Sequence, residues 1–153
     1  AFEAGRLNPS LVHTAMTNPR RFVEPVEEAD TWQGEAESRF RQSMRDWATR
    51  CRESGAELVL VIIPDGPYVS EAAARGMRAV GYDVPASLLT TTVCQDVVTG
   101  ICGELEIRVI NPVAEFRKSA DDGDYFELDG HFNSNGQRRL GESVARSLWP
   151  TTE

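Results

Sequence analysis

Apolar residues recur through the middle of the chain at the spacing of a helix face. Phe40, Met44, Trp47, Ala48 and Cys51 fall at i, i+4, i+7, i+8 and i+11, a stripe that predicts an amphipathic helix beginning near Glu35 with Cys51 as an inert core residue. Arg39, Arg41, Arg45, Arg50 and Arg52 interleave with the stripe, and Gly55 follows it as a natural stop. The pattern then changes. Leu58-Val59-Leu60-Val61-Ile62-Ile63 is apolar at every position rather than alternating, which predicts a parallel strand covered by helices on both faces. Pro64-Asp65-Gly66-Pro67 closes it with turn-forming residues.

Residues 71–79 are alanine-rich and predict a helix, broken over 81–85. Leu89, Val93, Val97 and Ile101 recur every four residues and predict another. On a continuous helix Cys94 and Cys102 lie roughly 12 Å apart, too far for a disulfide, and only a break near Gly100 would let them pair. Ile107-Arg108-Val109-Ile110 reads as a second short strand, followed by a helical segment over 113–118 and the acidic turn Asp121-Asp122-Gly123-Asp124. A last helix starts near Ser134, carries Leu140, Val144 and Leu148 on one face, and ends at Pro150. Helix, strand, helix, strand, helix is the order of an α/β protein. Before residue 35 no period is sustained, and Pro9, Pro19, Pro25 and the charged stretch 24–30 predict an extended arm or linker. The expected organisation is an arm over 1–34, a domain over 35–150 and a tail over 151–153.

Composition narrows the classes. The chain has 153 residues, 41% hydrophobic and 26% charged, with a formal net charge of −8 and a pI near 4.8. That balance argues against nucleic acid and against anionic lipid, both of which are bound through Lys and Arg. No apolar run is long enough to cross a bilayer and no signal peptide is visible. Three cysteines, none in a Cys-x-x-Cys pair and all far in sequence from His13 and His131, give no zinc pattern.

Candidate chemistry concentrates in Asp129-Gly130-His131-Phe132-Asn133-Ser134-Asn135-Gly136. A loop entering a helix can hold an imidazole at the mouth of a site. A carboxylate two residues earlier can turn back onto one ring nitrogen, fixing the tautomer and freeing the other nitrogen to take a proton from a nucleophile. General base catalysis of this kind contributes roughly 10²–10⁴-fold. The same residues also suit plain turn and capping roles: Asp129 can bend the chain while Asn133 or Ser134 caps the helix.

The whole arrangement resembles the C-terminal half of the SGNH-type (GDSL-like) hydrolases and acyltransferases. A helix leads to a strand ending in a proline turn at 58–64, a short strand at 107–110 follows, and an aromatic-rich loop carries Asp129, His131, Phe132, Asn133 and Gly136 into the closing helix. The resemblance implies a three-layer parallel-sheet, flavodoxin-like fold, of which this chain would be only the C-terminal part. It implies His131 as general base and Asp129 as its partner in a serine ester hydrolase or O-acyl transferase. The substrate would be an ester, such as an acylated carbohydrate, in a periplasmic or secreted setting, and serine acyl transfer calls for neither metal nor organic cofactor. The nucleophile of that family is the serine of a Gly-Asp-Ser, and this sequence contains none. The serine is therefore expected outside it, in an N-terminal part of the fold or another subunit. A non-catalytic SGNH-like structural or binding subunit is the alternative.

Asp65 and Tyr68, just past a strand's C-terminal end, stand where α/β folds place ligands, and with Phe132 they are the candidate substrate-binding residues. Asp121, Asp122, Asp124 and Glu127 lack the spacing of a calcium loop and read as a solvated acidic turn. His13, without a neighbouring carboxylate, reads as a surface or packing residue.

Overall fold

The computed structural model describes residues 7–27, 34–119 and 123–150; the tail at 151–153, the arm positions 28–30, and Asp121 and Asp122 lie outside the described residues. The fold is a mixed α/β arrangement, mostly helical, around a two-stranded parallel sheet. Helix α3 (Glu35–Glu53) has Glu35 and Glu37 in its first turn and Arg50 and Arg52 in its last, matching the helix dipole at both ends. Its stripe meets strand β1 (Val59–Val61), which pairs in parallel with β2 (Arg108–Ile110) in the register Val59 to Arg108, Leu60 to Val109 and Val61 to Ile110. Ala48 and Met44 of α3 join Val98 and Cys102 of α6 (Val93–Glu104) over Leu58, Leu60, Ile107 and Val109, so one sheet face is covered by two helices.

The opposite face departs from the expected strand buried on both sides. Val59 and Val61 are half-buried and Ile63 is 66% exposed. The expectation failed because it took a continuous apolar run for burial on both faces, whereas among the described residues only two strands and a helix beside β2 share that side. The helix is α8 (Ser134–Leu148), tied to β2 by the Arg108 guanidinium on the Ser147 carbonyl. Trp47 likewise sits on the expected core stripe yet is 55% exposed, and Cys51 is half-buried. Helix α6 runs unbroken through Gly100 and all three cysteines are free thiols. Burial pushes the Cys94 and Cys102 thiols up.

Residues 7–27 are not an extended arm. Helix α1 (Pro9–Thr17) starts at Asn8, whose side chain accepts from Ser10 N at 3.0 Å, with Pro9 at the first helical position. A turn and the short α2 (Glu24–Glu27) follow. Ala15 and Phe22 pack with Ala74, Met77, Tyr82, Val84 and Leu88 into one core cluster. These partners come from α5 (Glu71–Val80), the segment after it, and a 3₁₀ turn (Ala86–Leu89). The segment is pinned by Tyr82 Oη donating to the Leu11 carbonyl at 2.9 Å and Asp83 N donating to the Pro19 carbonyl at 2.8 Å. Its prolines serve as a helix start and turn rather than as linker breaks.

Two short helices complete the fold, α4 (Gly66–Val69) after β1 and α7 (Val113–Lys118) after β2. Val69, Val113 and Phe116 form a third core cluster with Ile62, Tyr125, Phe132 and Leu140 packed against it. That cluster underlies the loop carrying Asp129 and His131.

Candidate active site

The loop from 123 to 133 folds back on itself. Tyr125 and Phe132 form an antiparallel bridge, and Phe126 N donates to the His131 carbonyl at 3.0 Å. Gly130 at the tip has φ of +74°, in the left-handed region that an L side chain rarely adopts. Its carbonyl accepts from Gly66 N at 3.1 Å, stitching the tip to the residues after β1. A left-handed residue between Asp129 and His131 turns the backbone enough for their side chains to meet. His131 Nδ1 is hydrogen-bonded to Asp129 Oδ1. With Asp129 ionised, Nδ1 is the donor and Nε2 keeps its lone pair. The His131 side chain is 75% exposed while that of Asp129 is 28% exposed, so the imidazole stands at the surface and its orienting carboxylate lies behind it.

The loop is held from below. Asn133 caps α8 by accepting from Asn135 N and Gly136 N, and its Nδ2 donates to the Gly123 carbonyl at 2.7 Å and the Tyr125 carbonyl at 3.2 Å. Asp124 was expected in a solvated acidic turn. It is instead 2% exposed, ion-paired with Arg139 and accepting from Asn135 Nδ2 at 2.8 Å. The Arg139 guanidinium also reaches Ser119 Oγ and lies 4.7 Å over the Phe116 ring. Solvating Asp124 was the wrong expectation because Arg139, one turn into α8, neutralises it. Glu127 of the same turn is exposed. Gly136 admits no side chain here, since a Cβ would lie 2.3 Å from Phe132 Cδ1.

Removing one partner of a buried ion pair costs about 3–5 kcal/mol, because the remaining charge is left without its counter-ion. Arg139→Met is therefore expected to lower the denaturation midpoint strongly and to loosen the 123–133 loop first, read as hydrogen exchange at the Asn133 and Gly136 amides. Exchange unchanged at both amides would contradict the clamp.

Beside His131 opens a cleft of about 500 Å³ at the C-terminal end of β1. Ile63, Pro64, Leu140 and Phe132 wall it, and Asp65, Gln137 and His131 supply polar groups. Of the expected site residues, Asp65, Asp129, His131 and Phe132 thus come together at one place. Phe132 is largely a packing residue, stacked on Tyr125 with ring centroids 4.9 Å apart. Tyr68 is elsewhere: its hydroxyl donates to the Phe22 carbonyl at 2.7 Å between two core clusters, and burial pushes its phenol well up. The turn before α4 aims Asp65 into the cleft and Tyr68 toward the N-terminal segment. His13 is exposed on α1. Gln137 was not singled out from sequence and Leu140 only as part of the apolar face of the last helix, although positions four and seven residues after the Asn133 cap lie on the helix face that follows the loop.

Asp65 caps the N-terminus of α4 without a side-chain hydrogen bond to it. Although the residue as a whole is exposed, desolvation raises its carboxyl above the ordinary range, with the charges of His131 and Arg21 and the Gly66 amide opposing the rise. A carboxyl raised in the folded state leaves stability intact below its unfolded pKa and subtracts from it as pH rises through the folded value. Asp65→Asn is therefore expected to raise the melting temperature at neutral pH, with the gain vanishing in acid. A lower melting temperature at neutral pH would show that Asp65 stabilises the fold.

No family profile matches the chain, and neither does any curated protein or solved structure.

Proposed function

We propose that this chain is part of an SGNH-type serine ester hydrolase or O-acyl transferase. His131 acts as its general base and Asp129 holds that imidazole in place. The observation that supports this reading is the hydrogen-bonded Asp129–His131 pair at the mouth of a cleft at the C-terminal end of a parallel strand. In this reading the steps are those of serine acyl transfer. A serine hydroxyl attacks the ester carbonyl while His131 Nε2 takes its proton. The tetrahedral intermediate collapses as the same nitrogen returns the proton to the leaving alkoxide. Water or an acceptor hydroxyl then releases the acyl group by the same two proton transfers. Asp129 stabilises the imidazolium formed in each half-reaction.

None of the described residues lining the cleft carries a hydroxyl or thiol. In this reading the nucleophile and the further strands of a three-layer, flavodoxin-like sheet belong to a part of the protein outside this sequence, or to another subunit. The same observation favours a second reading, a non-catalytic SGNH-like subunit of a larger assembly.

The imidazole tautomer separates the two. Nitrogen-15 NMR of His131 in the assembled protein is expected to show Nδ1 protonated and Nε2 bare, with the Nδ1 proton lost from view in Asp129→Ala. A ring protonated on Nε2, or one averaging freely between tautomers, would leave no poised base and favour the non-catalytic reading.

A further inference from the structure

We propose that Gly76 is a positioning residue for the Asp129–His131 pair: α5 seats the turn that leads into Asp129 directly on its own backbone, at a position where no side chain intervenes. The inference rests on the reading of that pair as a general base and its partner, and adds what keeps the two within reach of each other.

Glu127, Leu128 and Asp129 form a turn closed by the Phe126 carbonyl, which accepts from Asp129 N and Gly130 N, both at 3.4 Å. Bonds of that length are weak, so the turn takes its shape from what it rests on. Gly76, buried in the middle of α5, lies against it. A Cβ on Gly76 would run into the Glu127 carbonyl oxygen, and would stand 3.0 Å from the Glu127 carbonyl carbon and 3.7 Å from Leu128 Cα. Each of these obstacles is backbone, which cannot swing aside as a side chain can. The residue on the other side of Asp129 is held as closely. Gly66 N donates to the Gly130 carbonyl at 3.1 Å, and a Cβ on Gly66 would stand 2.7 Å from that oxygen. Asp129 is thus carried between two backbone seats, one on α5 and one at the start of α4. The His131 side chain is 75% exposed, so little packing holds the ring, and its meeting with Asp129 depends on the backbone that carries both.

Glycine inside a helix is unfavourable, ranking above proline alone, and α5 is otherwise rich in alanine. Gly100, Gly103 and Gly141 also stand inside helices, yet a Cβ on any of them would meet nothing within 4 Å. A helical glycine by itself therefore marks no contact in this chain. The turn lying on Gly76 does.

The test is Gly76→Ala in the protein in its assembled form, with Gly100→Ala and Ala74→Gly as controls. Gly100→Ala adds the same methyl to open space, and Ala74→Gly weakens α5 from within the core cluster it shares with Phe22 and Met77. In the wild type, cross-relaxation is expected between the α protons of Gly76 and Leu128. Gly76→Ala is expected to lose the His131 Nδ1 proton from view and to lower kcat for a short-chain aryl ester about a hundredfold, the scale for a misplacement of about 1 Å, with KM little changed. Both controls are expected to keep the proton and kcat, Ala74→Gly with a lower melting temperature, so that loss of stability and loss of the pair are read apart. No cross-relaxation in the wild type, a proton and kcat retained in Gly76→Ala, or an equal loss of both in Ala74→Gly would overturn the proposal. The two readings fail separately. A proton lost in Gly76→Ala from a protein that turns over no ester removes the general-base reading alone. Turnover that depends on His131 but is undiminished in Gly76→Ala removes this one alone.

Discussion

If His131 is the general base, His131→Ala is expected to lower turnover of a short-chain aryl ester by the assembled protein on the order of 10³–10⁴-fold, with KM little changed. The loss falls on kcat because the imidazole moves a proton only as the transition state forms, and ester binding draws on the walls of the cleft instead. Asp129→Asn is expected to cost nearly as much. An amide can present its oxygen or its NH₂ to Nδ1, and in the second case it holds the ring in the tautomer whose Nε2 already carries a proton. Arg138, ion-paired to Glu142 at 2.7 Å on the exposed side of α8, is a control, and its replacement by alanine is expected to leave kcat alone. A steady-state comparison of these variants checks the prediction. A drop of less than tenfold in His131→Ala would show that the proton is moved by another group.

The second large effect concerns assembly. Leu60 and Ile62 turn their backbone groups toward β2, as the Ile62 N to Ile110 carbonyl bond of 2.9 Å shows, which leaves those of Val59 and Val61 on the free edge. No described residue pairs with that edge, and 58–63 contains no charge or proline to protect it. Two short strands are marginal as a sheet, and parallel strands are normally covered on both faces. The described residues of the N-terminal segment form helix and turn, and none of them brings a strand to the edge. The isolated 153-residue chain is therefore expected to associate or to melt broadly. Light scattering after size exclusion, together with a thermal scan, reads both. A strict monomer with one sharp two-state transition would refute this and show that two strands and their helices suffice.

The elements legible in the sequence are those whose signal is local. The α3 stripe, the Gly81 stop after α5, the 113–118 segment and the Asn133 start of α8 each depend on spacing or on capping chemistry within a few residues. The N-terminal segment was misread because its prolines were taken as breaks. Asn8 followed by Pro9 is a helix start, and the burial of Phe22 and Ala15 depends on α5, more than 50 residues away in sequence. At the site, Asp129 and His131 were legible because a two-residue spacing around glycine is itself a geometry. The Asp124–Arg139 clamp was not, since it joins a turn to the second turn of a helix and looks from sequence like two solvated charges. Tyr68 was misplaced for the same reason: which way a side chain leaves a one-turn helix is decided by what packs on it, here Phe22.

The central claim is that His131 and Asp129 activate a serine outside this sequence. It is tested most directly by labelling the intact protein or its native complex with a fluorophosphonate, in the wild type and in His131→Ala. The account predicts stoichiometric labelling of one serine outside these 153 residues, with a rate that falls at least about a hundredfold in the variant. Labelling of a serine within them, labelling indifferent to His131, or no labelled serine at all would contradict it.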